Sequence, residues 1–363
     1  MTILEEPDAC SPVLNPVAYQ FSSTAETAIV KLEMESELFL GDFTEIAQLD
    51  APLDADNLVT FRLERLLESQ LQYSSPATDQ ATAFRPKQLC LRYRIQYAEF
   101  NTGDLIENLV FTEHVTKYAF LGGFPFQEYP DRATTLPVTG KLLQHLPADR
   151  QIGMGQAHWL NFISENAETL DFVFTVFYTD NSIKQVNASF GTAQAYEPVL
   201  LPVGFDAHDY NEPGKTVFRI SLGELGVTLY PLDTTYWPDP HEFHFWTRKG
   251  AFESLLCTGL HQDTAEDESL SFELETPTGY ATGQALARHY YQDRTEGGTV
   301  NTGYFLNRDS FNAAREIFRK LDAFKRVGGA YLPVNIQEDS HKGLDNRDPL
   351  QGFSFHYQYA FPG

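Results

Sequence analysis

Positive charge is scarce in this chain. Lys and Arg together number 26 against 50 Asp and Glu, a net charge of −24 over 363 residues. Such a surface repels phosphate backbones, and no cluster of Lys or Arg overrides it, so direct nucleic-acid binding is not expected. The acidity reads first as solubility and second as electrostatic matching to a basic partner in an assembly. Cysteine is nearly absent. Cys10, Cys90 and Cys257 are odd in number and far apart, which gives neither a CxxC pair nor a zinc pattern. Cys90 falls in an alternating run and Cys257 follows Leu255-Leu256, so both read as buried apolar residues. No apolar run approaches the length of a membrane span. The opening MTILEEP has no basic segment and no apolar core of a signal peptide, which makes cytoplasmic synthesis the expectation.

Aromatic residues are abundant by contrast. Phe 28 and Tyr 18 stand against three Met, a balance that favours pleated, half-covered strands. A hydrophobic fraction of 42% excludes wholesale disorder, and the length implies two or three domains. The chain is organised around residues 57–100. A short strand at Val59-Thr60-Phe61-Arg62-Leu63 leads to Leu66, Leu67 and Leu71 at helical spacing. After a loop with Pro76 and Pro86, Leu89, Leu91, Tyr93, Ile95 and Tyr97 alternate with Arg92, Arg94 and Gln96, the period of a half-buried strand. A weaker echo follows at 216–222 and 242–246.

The reading is a mainly β protein: two successive β-sandwich-like units followed by a small α+β C-terminal unit. Residues 1–15 form a polar arm, frayed or ordered against a neighbouring subunit, and 16–121 the first sandwich. Residues 122–155, rich in Pro, Gly and Thr, form a long inter-domain loop, and 156–250 the second sandwich, with its strongest strand at 169–178. Residues 251–363 make the C-terminal region. Its helix, 309–324, carries the apolar stripe Phe311, Ala314, Ile317, Phe318, Leu321 and Phe324 and stops at Gly328-Gly329. Strands are expected at 109–120, 270–274, 287–292, 330–337 and 352–361.

Motifs that carry chemistry fail their own context tests. In His241-Glu242-Phe243-His244, a strand places the two histidines on opposite faces, so they cannot share an ion, and HExxH spacing is absent. The acidic turn holding Asp50, Asp54, Asp56 and Asn57 lacks the Gly and distal Glu of a calcium loop. Gly153-Met154-Gly155 lacks the third glycine of a phosphate loop, and no strong strand is expected before it. Glu128 and Asp131 could pair for glycoside hydrolysis, but they read more simply as loop carboxylates. No catalytic, cofactor-binding or metal-ligating residues are therefore expected, and no enzyme activity. Aromatic loop residues, chiefly Phe124, Phe126, Tyr129 and Trp159, are the candidates for an interface or glycan contact.

The order of elements resembles that of distal tail and baseplate structural proteins of tailed bacteriophages and phage-derived injection systems. The resemblance is carried by Asn15-Pro16-Val17, by the acidic turn before Val59-Thr60-Phe61 with Leu66-Leu67, and by the strand Tyr93 to Phe100. It continues through the loop at 120–130, Trp159-Leu160-Asn161-Phe162, the strand ending Tyr178-Thr179-Asp180, and FWTRKGAFES at 245–254. It closes with Pro333-Val334-Asn335-Ile336 and the aromatic strand ending at Phe361. The resemblance implies a non-enzymatic virion structural protein, located in the tail and made in the host cytoplasm. Its partners would be other tail or baseplate proteins, in a homo-oligomer of three or six copies, with no cofactor. The alternative is a carbohydrate- or receptor-binding β-sandwich protein for host attachment.

Overall fold

The computed structural model describes residues 1–35, 41–76, 82–124, 141–143, 146–233, 237, 239–273, 287–305, 308–317, 322–337 and 352–360. Strands dominate throughout. The first unit contains β1 (Thr2–Glu5), β2 (Cys10–Pro12), β3 (Ala18–Ser22), β4 (Thr27–Glu35), β5 (Phe43–Pro52) and β6 (Leu58–Arg62). Helix α1 (Glu64–Glu68) follows, then β7 (Cys90–Phe100), β8 (Thr112–Glu113) and β9 (Lys117–Phe120). One sheet runs β1-β3-β6 and the other β2-β9-β7-β4-β5, with β8 on β7. Alternate residues close a sandwich core between them: Tyr19 and Phe21 from β3, Val59 and Phe61 from β6, Val30 and Leu32 from β4, Tyr93 and Ile95 from β7.

The expectation for residues 1–15 is corrected here. They are no free arm, because β1 pairs with β3, β2 pairs with β9, and the Met1 ammonium lies 2.8 Å from Glu99. These strands are too short, and too interrupted by Pro7 and Pro12, to leave a period in the sequence. Strand β5 also escaped the pattern, because its residues are exposed or half-exposed and none is buried. The strand expected at 109–120 is split into β8 and β9.

The second unit contains β10 (Lys141–Leu142), β11 (Asp149–Gly153), β12 (Trp159–Ile163), β13 (Glu168–Tyr178), β14 (Ile183–Ala193), β15 (Val199–Pro202), β16 (Val217–Leu222) and β17 (Val227–Leu232). Its sheets are β10-β12-β15 and β11-β17-β16-β13-β14. Leu170, Phe172, Phe174, Val176 and Tyr178 point inward from β13, as their alternation dictates. The hairpin to β14 turns at Asn181, whose φ is +65°, while the Asp180 carboxylate accepts the Ser182 N–H. The described parts of 122–155 are thus partly strand, since β10 and β11 pair within these sheets.

Every residue of β12 is buried. Leu160 and Phe162 enter the second core, Trp159 enters the first, and Ile163 joins a small cluster with Cys10, Cys90, Phe120 and Phe124. Units on both faces leave this strand apolar at every position but Asn161, without the alternation of a half-exposed strand.

The third unit contains β18 (His241–Trp246), β19 (Phe252–Cys257), β20 (His261–Glu273), β21 (Ala287–Asn301), α2 (Arg308–Ile317), β22 (Ala323–Val327), β23 (Ala330–Gln337) and β24 (Ser354–Tyr359). One antiparallel sheet runs β19-β18-β22-β23-β24-β21-β20. Strand β18 therefore opens this unit rather than closing the second. The sheet rolls on itself: Phe243 of β18 meets Phe355 and Tyr357 of β24, with ring centroids 5.1 and 5.2 Å apart, although two strands separate them in the sheet. Residues 258–260 join the two outermost strands, β19 and β20. Helix α2 packs Phe311 and Ala314 against this core, as the stripe implies. Phe318 and Leu321 lie outside the described residues. Phe324 belongs to β22, facing Phe252, because the helix ends before it.

Candidate functional site: a polar seam, a histidine cluster and a projecting ribbon

Side chains join the units beside an isolated backbone bridge between Phe84 and Leu200. Asn161 of β12 brackets Phe252 of β19, accepting its N–H at 2.8 Å and donating to its carbonyl at 3.3 Å. Asn15 does the same for Phe124, accepting its N–H at 2.7 Å and donating to its carbonyl at 3.0 Å. An amide offers a donor and an acceptor at the spacing of an extended peptide, so each Asn replaces a missing ladder rung.

Glu242 is the hub of the seam. Its carboxylate accepts from the Ala157 N–H at 2.9 Å and from Arg326 Nη1 at 2.9 Å, and lies 2.5 Å from His244 Nε2. Arg326 also donates to the Gly155 carbonyl at 2.9 Å. Beside this hub, His158 Nδ1 lies 2.7 Å from Ser254 Oγ, which also accepts from Gln156 Nε2 at 2.9 Å. The Ser–His pair has the spacing of a nucleophile and base, but His158 Nε2 has no hydrogen-bond partner to orient the ring. Burial pushes the His158 imidazolium well below its usual range, with Arg150 and His244 adding to the effect. His158 is thus held neutral and is a poor proton acceptor.

Ser254, Gln156 and Arg150 line a cleft of about 1140 Å³ between the second and third units, with Trp237, Tyr304 and His261 also on its wall. Burial lowers the Arg150 pKa to about 10, against the opposing pull of Glu253. Near the cleft, His241 and His261 meet with ring centroids 4.1 Å apart. The Asp239 carboxylate lies 3.3 Å from His261 Nε2 and 3.8 Å from His241 Nε2. The opposite facing of His241 and His244 is as the strand period requires. The partner that His241 does find, His261, lies twenty positions on and across the rolled sheet, where no spacing rule would find it.

The third feature is a ribbon. Strands β20 and β21 pair along their whole length, from His261↔Val300 to Glu273↔Ala287. Strand β24 covers only Gly297–Asn301 of β21. Among the described residues, 267–273 of β20 and 287–294 of β21 thus have only each other as strand partners. At about 3.3 Å per residue this ribbon reaches roughly 25 Å, with no further strand on either side among the described residues. Its two strands carry seven carboxylates and two arginines, a polar composition that hid their length from the sequence reading.

Two of the four aromatic candidates, Phe124 and Trp159, are corrected. Phe124 is enclosed with Phe120, Leu143 and Ile163. Trp159 is 1% exposed and donates its indole N–H to Tyr331 Oη at 3.2 Å. Neither can present its ring to a glycan or a partner. Phe126 and Tyr129, like Glu128 and Asp131, lie outside the described residues. Gly153-Met154-Gly155 is no phosphate cradle: the Gly153 N–H donates to Gln156 Oε1, and the Asp206 carboxylate stands beside Gly155. In the acidic turn, Asp54 Oδ1 accepts the N–H groups of Asp56 and Leu58, which makes a local turn. No helix among the described residues is long and apolar enough to cross a membrane. No protein-family model matches the chain, and no curated protein matches it in sequence.

Proposed function

We propose that this protein is a structural component of a phage tail tip or baseplate, or of a phage-derived injection system, working through protein–protein interfaces between copies of itself. The tail assignment rests on the order of elements in the sequence. The assembly reading is carried by one observation, the ribbon of β20 and β21. An isolated two-stranded ribbon is marginal in water and leaves two rows of unpaired backbone groups. A neighbouring sheet edge would satisfy them by strand addition, the recurrent way in which an extended segment docks. The core units, tied by Asn15, Asn161 and Glu242, give the ribbon a rigid base.

In this reading the protein sits in the virion tail and its contacts are with copies of itself and other tail proteins. Light scattering on the purified chain tests it, with negative-stain images of the same sample. The expected result is a closed ring of three or six copies. Replacing residues 267–294 by an Asn-Gly turn should reduce that assembly to monomers while leaving the thermal midpoint of the core unchanged. A variant that still forms the ring would remove the ribbon from the interface. A wild type that stays monomeric at high concentration would overturn self-assembly.

A further inference from the structure

We propose that Asp239, His241 and His261 form a binding site for a divalent transition-metal ion of the zinc type, fixed across the seam of the rolled third sheet. Their ligand atoms lie within 4.8 Å of one another. Metal–ligand bonds of about 2.0–2.1 Å in a tetrahedron place ligand atoms roughly 3.3–3.4 Å apart. The His261–Asp239 separation of 3.3 Å meets that spacing already, and the 3.8 Å from His241 to Asp239 needs only a small closing movement.

A second observation points to the same ion. His241 Nε2 is enclosed, yet it has no hydrogen-bond partner. A buried polar atom left unpaired costs roughly 1–3 kcal/mol, and a metal bond would satisfy it. Two imidazoles and one carboxylate suit zinc and its neighbours and are too few oxygens for calcium or magnesium. Three protein ligands leave a fourth position open, and His261 lies on the wall of the cleft.

The ligands come from elements that the fold must bring together. Asp239 precedes β18, His241 opens β18, and His261 opens β20, while β18 is second from one end of the hydrogen-bonded order and β20 ends the other. An ion here would pin the closure of the rolled sheet at the foot of the ribbon. Lys325 stands nearby as an opposing charge. Its ammonium donates to Tyr357 Oη at 2.6 Å, and Tyr357 Oη is 3.2 Å from Asp263 Oδ1, so carboxylates stand close to it.

The experiment uses the full chain, stripped with a chelator and titrated with Co²⁺ as a visible probe, then with Zn²⁺ as competitor. The expected result is one Co²⁺ per chain, with the intense visible bands of a low coordination number, displaced by Zn²⁺. His261→Gln and Asp239→Asn should each weaken binding by more than roughly tenfold, while His114→Gln, in the first unit, should leave it unchanged. Both test residues reach solvent, so their far-UV spectra should match wild type and separate lost binding from lost folding. Absence of a saturable single site, or an affinity that His261→Gln and Asp239→Asn leave intact, would overturn the proposal.

Discussion

At Glu242 one carboxylate satisfies a backbone N–H and an imidazole and pairs with a guanidinium between two units. Removing one member of such a group costs more than the group contributes, because the remaining partners stay buried. Glu242→Ala should therefore lower unfolding stability by about 3 kcal/mol. Glu224→Ala, at an exposed turn, should leave the urea midpoint where it is. His158 gives the second expectation. Burial holds its pKa in the folded state well below the unfolded value of 6.5, so below that pH the unfolded chain binds a proton the folded chain refuses. Stability is then fully present above the unfolded pKa and is lost as pH falls, by up to about 1.4 kcal/mol per pH unit for one proton. His158→Gln should flatten the slope of stability against pH between 6 and 5 by about one proton, measured by urea unfolding at each pH. His208 and His241, also pushed down chiefly by burial, act in the same direction and account for slope that remains.

At the scale of the element, the ribbon depends on glycine where it leaves the sheet. A Cβ on Gly297 would lie 2.3 Å from the Tyr357 carbonyl oxygen, and one on Gly298 would lie 2.7 Å from that of Gln262. Backbone atoms cannot swing aside as a side chain does. Gly297→Ala should cost roughly 1–3 kcal/mol and speed hydrogen exchange along β24 and the adjoining part of β21. Gly223→Ala, where nothing lies within 4 Å, should do neither. Elements with one wet face were legible in the sequence: β7 and β13 show their alternation, and α2 shows its first two turns through Phe311 and Ala314. Elements without that contrast were not. Strand β5 has no buried residue, β12 has no exposed one, and β20 is polar along most of its length. The candidate site was the least legible part, because Asp239, His241 and His261 meet through the rolling of a seven-stranded sheet. Periodicity reports the face a residue takes, not the strand it will find opposite.

At the scale of the whole molecule, charge decides what kind of assembly the ribbon can build. Each chain carries −24, and the ribbon is itself acidic. Copies that approach through such segments repel one another over a distance set by the Debye length, about 10 Å at 0.1 M salt and about 30 Å at 0.01 M. Backbone pairing along a strand edge is far less sensitive to salt, so screening should remove the opposing term and leave the attractive one. Self-association should therefore strengthen as sodium chloride rises from 0.01 M to about 0.3 M, followed by sedimentation velocity at fixed protein concentration. A basic neighbour would behave in the opposite way, because screening weakens attraction between unlike charges. If the purified chain stays monomeric at every salt concentration but binds a cationic partner only when salt is low, the ribbon is an acidic tether to another component. If association grows with salt and disappears when residues 267–294 are replaced, the free strand edge is the contact between copies, and the negative surface limits how readily it forms.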